Sequence, residues 1–345
     1  MSGRSSFAPL KNSSASNIFK NFLIEPTFYG LFALLLLYIL LSQTPDRGGF
    51  DWLFAFRTAA RGEPSIIITP YWVNFLSFIP AHLPEPLGYS LWISAGCIAF
   101  YIAARWVKAP IWVIMLSYPI HWCLYHGQVD LFLAGAAALG LWSAQKQKPY
   151  LAGAAILILL IKPHITVLAA ILIFWWLEEK KKAAIVVLAG IASSFILWPG
   201  WLESLLSQQI FSYTQRLPLS TWSNTSPHLP IWVSIPLAAV ALFSPLEKAR
   251  KLQTVLAISL LISPYAPVYS QIMLLWFPMP IPIAALAILP WFGSLLQNEL
   301  YYKLTCLVFP ITVILSTYWP YVSRNWVQRP KNQEMEVPCN REPTG

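Results

Sequence analysis

A lysine beside a proline, Lys162-Pro163, interrupts a run from Pro149 to Leu177 that is otherwise uncharged. Both residues are costly inside a membrane segment. An ammonium at mid-bilayer costs about 2.5–3.5 kcal/mol on insertion scales. Proline removes a backbone donor and breaks the helix where it stands. A break plus a cation describes a broken helix facing a polar cavity, where the cation can hold an anion. The bland alternative is a lysine that snorkels to an interface near a hairpin apex. Upstream runs Tyr125-His126-Gly127-Gln128-Val129-Asp130. His126, Gln128 and Asp130 are candidate ligands for a polar substrate, and Gln128 and Asp130 suit equally well the capping of a helix that starts at Val129. Asp51 heads an amphipathic stretch, and a carboxylate at such a place can take a proton from a hydroxyl. Read alone, such a residue is more often a helix cap or a solvated charge than a base. Asp46 reads as a turn residue. His164, Tyr265 and Tyr269 complete the polar set, the tyrosines also suiting an interfacial belt. Arg57 fits the polar face of the loop helix, with a possible share in acceptor or lipid-phosphate binding.

The whole chain has the composition to bury such groups in lipid. Its 345 residues are 57% hydrophobic and 11% charged, against about 25% charged in a soluble domain. This is an all-α polytopic membrane protein, multi-pass, for which the plasma membrane is the expected location. The net charge of +9 does not indicate nucleic acid. The basic residues gather in short loops (Arg105 and Lys108; Lys146 and Lys148; Lys180, Lys181 and Lys182; Lys248, Arg250 and Lys251), which marks those loops as cytoplasmic. Cys97, Cys123, Cys306 and Cys339 have neither metal-ligand nor disulfide spacing. No GxSxG, HExxH, phosphate-binding Gly loop or CxxC is present, which weakens hydrolase, metalloprotease, nucleotide-binding and redox readings. Neither a metal nor another cofactor is called for.

The elements that position these groups follow from the loops. Residues 1–25 read as a cytoplasmic tail, 26–320 as the membrane domain with outer loops over 43–65 and 199–229, and 321–345 as a disordered tail. Pro26 to Leu41 is the first span. Asp51 to Arg61 has helical spacing, with Trp52, Phe56, Ala59 and Ala60 on one face, and such a helix can lie along the outer surface. Ile66 to Pro80 is short for the roughly 20 residues of a span and does not cross alone. Pro86 to Val107 crosses, Ile111 to Leu124 goes back outward, and Val129 to Ala144 returns. Basic loops bracket Pro149 to Leu177, so two short helices turning at Lys162-Pro163 satisfy the charge rule. Ala183 to Leu197 and Ile231 to Phe243 are further spans. Leu252 to Asn298 is uncharged but broken by prolines, and Leu304 to Tyr318 is the last span. This topology brings Asp46, Asp51, His126, Gln128, Asp130, Tyr265 and Tyr269 to the outer face, with Lys162 and His164 pointing toward it and Lys162 as the one deeply placed charge.

The run from Tyr125 through Lys182 resembles the central block of glycosyltransferase family 87, membrane mannosyltransferase-like enzymes of the GT-C class. The carrying elements are a Gly-Gln pair (Gly127-Gln128), a span, a basic loop, Ala152-Gly153 and then Lys162-Pro163. FDWLFAFRTAARGEP resembles that family's first outer loop, and SPYAPVYSQ its late Ser-Pro motif. His126 and Asp130 stand where the family usually shows Asn, and the segment after Gly62 lacks a Tyr that often follows the Gly. The resemblance implies a GT-C-like multi-helix bundle with broken helices and an outer-face cavity. It implies a polyprenyl-phosphate-sugar donor, commonly mannose, a glycan or lipid-linked acceptor, and inversion. It makes Asp51 the general base, places Gln128 and Lys162 at the donor phosphate or sugar, and lines the site with Tyr265 and Tyr269. The competing class is a lipid or sugar transporter or flippase, which broken helices and an intramembrane lysine also suit; against it, no internal repeat is present. A third reading is a non-catalytic relative with an interaction role.

Overall fold

A computed structural model of the chain describes residues 26–42, 49–63, 70–200, 225–227 and 229–327. The N-terminal tail, Asp46 with its turn, most of the 199–229 loop and the tail from 328 onward lie outside the described residues. Among the described residues the architecture is all-α.

The first span is α1 (Pro26–Ser42). The loop helix is a π-helical turn, Trp52–Arg57, that tightens into α2 (Thr58–Arg61) and ends at Gly62 in the left-handed conformation, φ 70°. Its apolar face is Trp52, Ala55, Phe56, Ala59 and Ala60, all buried, so it is packed into the bundle rather than laid along its surface. A short helical turn, Tyr71–Val73, leads into α3 (Asn74–His82), which is too short to cross, as its length in the sequence implies.

Next comes α4 (Glu85–Trp106), opened by Pro86 in its first turn, where the missing N–H is harmless. The outward segment expected over Ile111 to Leu124 is not one helix. It is broken at Ser117 into α5 (Ile111–Leu116) and α6 (Tyr118–His126). The cause is Pro119, which has no N–H for the Met115 carbonyl and whose ring clashes with it in a continuous helix; that carbonyl is taken instead by His121 Nε2 at 2.9 Å, and Ser117 is extended, its hydroxyl donating to the Ile114 carbonyl at 2.6 Å. Then follow α7 (Asp130–Gln145), α8 (Pro149–Leu159) and α9 (Pro163–Trp175). The split of the last pair around Lys162 is the one the basic loops required. The second half comprises α10 (Lys180–Leu197), α11 (Ile231–Phe243) and α12 (Lys248–Ile262). Proline-punctuated pieces come next: Val268–Gln271, α13 (Ile272–Leu275), α14 (Ile281–Ala285), Leu286–Ile288 and α15 (Leu289–Leu295). The last helix, α16 (Glu299–Val327), runs past Tyr321, where a disordered tail was expected to begin.

By length and composition α4 and the Glu299–Trp319 part of α16 can cross a bilayer; the other apolar helices are shorter pieces. Small residues let the central helices approach closely. A Cβ on Gly135 of α7 would stand 2.9 Å from that of Ala99 on α4, and one on Gly153 of α8 would meet the Ala183 carbonyl of α10 at 2.7 Å. Without water between helices, such close contact is what holds membrane helices together. The core built this way surrounds the N-terminal end of α7 and the α8–α9 break, and there the polar groups meet.

Candidate active site

The site starts at a helix end. α6 terminates at Gly127, whose φ of 68° only glycine adopts cheaply. The Gln128 amide then bonds back to the Cys123 carbonyl at 2.9 Å. A Cβ on Gly127 would meet that of Trp52 at 2.8 Å and the Tyr89 ring at 2.9 Å, so the position excludes any larger residue. Trp92 of α4 donates its indole N–H to the Gly127 carbonyl at 2.8 Å and stacks on Trp52 with centroids 5.2 Å apart. The Gly49 amide donates to the Tyr125 carbonyl at 2.6 Å, and the Leu53 amide to the Gly49 carbonyl at 2.8 Å. These contacts seat the loop helix, and Asp51 with it, against the α6–α7 corner.

Across the corner lies the break. Lys162 has φ −121° and ψ 68°, and Pro163 begins α9. Two carbonyls at the break, those of Leu159 and Lys162, are bonded within the protein. The Lys162 carbonyl accepts from the Ile165 amide at 3.0 Å and the Thr166 amide at 3.1 Å. The Thr166 hydroxyl reaches the Leu159 and Lys162 carbonyls, the latter at 2.9 Å. This satisfies the condition for a non-helical backbone at membrane depth.

The Lys162 ammonium is not a lone charge, as the sequence implied. It donates to Asp130 Oδ2 at 2.5 Å and to Gln128 Oε1 at 2.8 Å, and it lies 4.7 Å above the centre of the Tyr269 ring. Ser270 donates its hydroxyl to the other Asp130 oxygen at 2.7 Å, from a position 140 residues later in the chain. The Asp130 side chain is fully buried, whereas Lys162 retains 14% exposure. A buried ion pair with every carboxylate oxygen bonded can hold its geometry, and the lysine side chain, unlike that of Asp130, is not wholly enclosed. Neither Gln128 nor Asp130 caps α7; both turn to the lysine.

The aromatic walls follow. His126 stacks on Trp122 at 4.6 Å and lies 6.2 Å from the Tyr269 ring. Its Nδ1 is buried with no hydrogen-bond partner among the described residues, an orphan that a buried site ordinarily resolves with a ligand or water. The His164 ring is 6.2 Å from that of Tyr265. Arg57 does not join this group; it pairs with Glu85 at 2.9 Å. Burial pushes the Asp51 carboxyl up to about 7; the Lys162 ammonium opposes that rise and the Asp130 carboxylate adds to it. Asp51 is thus within the field of the lysine and suited to proton transfer near neutrality.

Ser270 and Thr166 escape sequence reasoning. Thr166 carried a faint signal, four residues after Lys162, where a hydroxyl reaches back to a broken helix. Ser270 carried none, because its partner lies far along the chain.

An ordered cation at a helix break, a carboxylate tuned near neutrality and aromatic walls describe a site for an anionic, hydroxyl-rich substrate. Residues 70–277 match glycosyltransferase family 87. The chain belongs to that family. It is accordingly an enzyme that transfers a sugar, and its partners are a sugar donor and an acceptor. The family 87 match covers Gln128, Asp130, Lys162, Tyr269 and Ser270, and it begins after Asp51. No curated protein and no solved structure matches the chain.

Proposed function

We propose that this family 87 enzyme transfers a hexose, mannose in the first instance, from a polyprenyl-phosphate donor to a glycan or lipid-linked acceptor. Transfer takes place at the outer face of the plasma membrane, in a multi-pass protein, and inverts the anomeric centre. The observation that carries this reading is the ordered Lys162 ammonium at a helix break, held by Asp130 and Gln128 on a side chain that keeps some exposure. An ammonium suits a phosphate oxygen. Gln128 and the unpartnered Nδ1 of His126 add hydrogen-bonding capacity, and Tyr269 and Tyr265 with His164 wall the sugar. Asp51 takes the proton of the acceptor hydroxyl as the oxygen attacks the anomeric carbon. The bond from that carbon to the phosphate oxygen breaks, and the electron pair leaves with the phosphate against Lys162. Phosphate is a good leaving group, so no protonating acid is needed. Asp130 is a poor candidate for a covalent nucleophile, because Lys162 and Ser270 already engage both its oxygens. With no second free carboxylate in place among the described residues, direct displacement is the reading adopted. In this reading Asp130 and Ser270 position the lysine.

The test is transfer by purified protein in phospholipid nanodiscs, from polyprenyl-phosphate-mannose to a soluble alkyl mannoside. The expected product has the anomeric configuration opposite to that of the donor. Movement of intact donor across liposomes without any transfer would instead identify a flippase. Orientation has its own measurement. A cysteine at exposed Glu63 should react with an impermeant thiol reagent added from outside, and one at exposed Lys181 should not. Labelling of the Lys181 position from outside would invert the assignment.

A further inference from the structure

A cavity of about 250 Å³ is lined by Tyr38, Tyr118, His121, Trp122, Tyr125, Trp291 and Ser294. It takes its walls from α1, α6 and α15, and neither Lys162 nor Asp51 lines it. Its chemistry is mixed. The indoles and phenol rings offer π faces, which are electron-rich and attract the weakly positive C–H bonds of a pyranose ring. The wall is also polar at fixed points. His121 Nε2 donates to the Met115 carbonyl at 2.9 Å, since a carbonyl only accepts. Its Nδ1 is therefore the acceptor, and Tyr38 donates its hydroxyl to it at 2.8 Å. That fixes the Tyr38 oxygen as an acceptor toward the cavity. Trp291 is held in place by a 3.2 Å bond from its indole N–H to the Leu116 carbonyl and by edge-on contact with Tyr118, centroids 4.8 Å apart. Residues of an interfacial belt need no such mutual anchoring; these rings are built into a wall. The volume is below the roughly 300–1,000 Å³ of sites for drug-sized ligands and suits a single ring.

The position decides which ring. Trp122 forms a wall of the cavity and stacks on His126, which neighbours Tyr269, over which Lys162 lies. A run of three rings, Trp122, His126 and Tyr269, therefore connects the cavity wall to the cation proposed to hold the donor phosphate. Tyr125, another wall, accepts at its carbonyl from the Gly49 amide, two residues before Asp51. The loop that carries the proposed base is pinned to the cavity's own lining.

We propose that this cavity is the acceptor subsite and receives the pyranose ring of a hexose-containing acceptor, stacked between Trp122 and Trp291 with its hydroxyls on Tyr38 and Ser294. The assignment rests on the sugar-transfer reading for its name, but binding of the ring does not depend on turnover.

The probe is methyl α-D-mannopyranoside, titrated against the full chain in phospholipid nanodiscs and read by saturation-transfer NMR, so that no sugar-headed detergent competes. Alongside it, acceptor KM and donor KM are measured with an alkyl mannoside. Trp291→Ala should raise the mannoside Kd and the acceptor KM by roughly tenfold, the upper range of one aromatic contact, with the donor KM unchanged. Tyr38→Phe keeps the ring and removes one hydroxyl, and should raise both by roughly threefold to tenfold. Trp291→Phe should restore most of the loss, and Trp175→Ala, a half-exposed ring lining neither site, should change nothing. The assignment is overturned if the wild type shows no mannoside signal, if Trp291→Ala and Tyr38→Phe both bind like the wild type, or if decyl phosphate alone occupies the cavity. Mannoside binding that depends on Trp291, in a protein that transfers no sugar, would sink the transfer reading and leave the cavity assigned. Intact transfer, with acceptor KM and mannoside binding unmoved in both variants, would sink the cavity assignment alone.

Discussion

Replacing Asp51 with asparagine is expected to lower kcat by about 10²–10⁴-fold, the usual share of a general base, while leaving donor binding nearly unchanged. An acceptor hydroxyl is a weak nucleophile until its proton begins to leave. The asparagine side chain has the same size and can still cap a helix turn, but it cannot take that proton. The pH profile separates this role from a structural one. A base works in its deprotonated form, and burial holds the Asp51 carboxyl at about 7. Activity of the wild type should therefore rise with pH up to and through about 7 and level off above it; below about 6 most of it is lost. In Asp51→Asn the residual activity should no longer follow that limb. Measuring transfer rate against pH for both proteins, with donor KM alongside, checks each part. Normal turnover in Asp51→Asn, with turnover lost in Asp130→Asn, would mean that the base is misassigned.

Lys162→Met is expected to abolish turnover or to raise the donor KM by two orders of magnitude or more, and also to destabilise the protein. The sequence alone predicts easy folding for this variant, since it removes an intramembrane charge at similar length. The structure reverses that expectation. Asp130 is fully buried and takes a 2.5 Å bond from the ammonium, so losing Lys162 strands a carboxyl among apolar side chains. Breaking a buried pair from one side costs about 3–5 kcal/mol. Lys162→Met/Asp130→Asn should recover most of that stability and none of the donor affinity. The two substitutions are then far from additive in stability yet equivalent to Lys162→Met alone in catalysis. Thermal unfolding in nanodiscs, set beside donor kinetics, provides the comparison. Wild-type stability and wild-type donor KM in Lys162→Met would reduce Lys162 to a snorkelling residue.

Much of the fold was legible because a bilayer imposes few solutions. The hairpin of α8 and α9 follows from basic loops at both ends of one apolar run and a Lys-Pro between them. The loop helix follows from the spacing of Trp52, Phe56 and Ala59. The break at Ser117 was missed although Pro119 stood in view, because an uninterrupted apolar stretch outweighed it. α16 extends farther than hydropathy indicated because helix propagation depends on backbone bonds, not on where the apolar stretch ends.

The sequence by itself determined the class of the protein, the order of its helices and the identity of its unusual groups: Asp51, Gln128, Asp130 and Lys162. These are legible because each is expensive where it stands, and cost shows in one dimension. What only the tertiary structure decided is who meets whom. Asp130 read as an outer-face carboxylate, and the fold makes it the buried partner of Lys162. Arg57 read as a residue of the polar face of the loop helix, and the fold pairs it with Glu85. Ser270 had no visible role until the fold brought it 2.7 Å from a carboxylate 140 residues away. Pairing of this kind depends on which helix ends share a corner, and that is set by the close packing of α4, α7 and α8 rather than by any local spacing of residues.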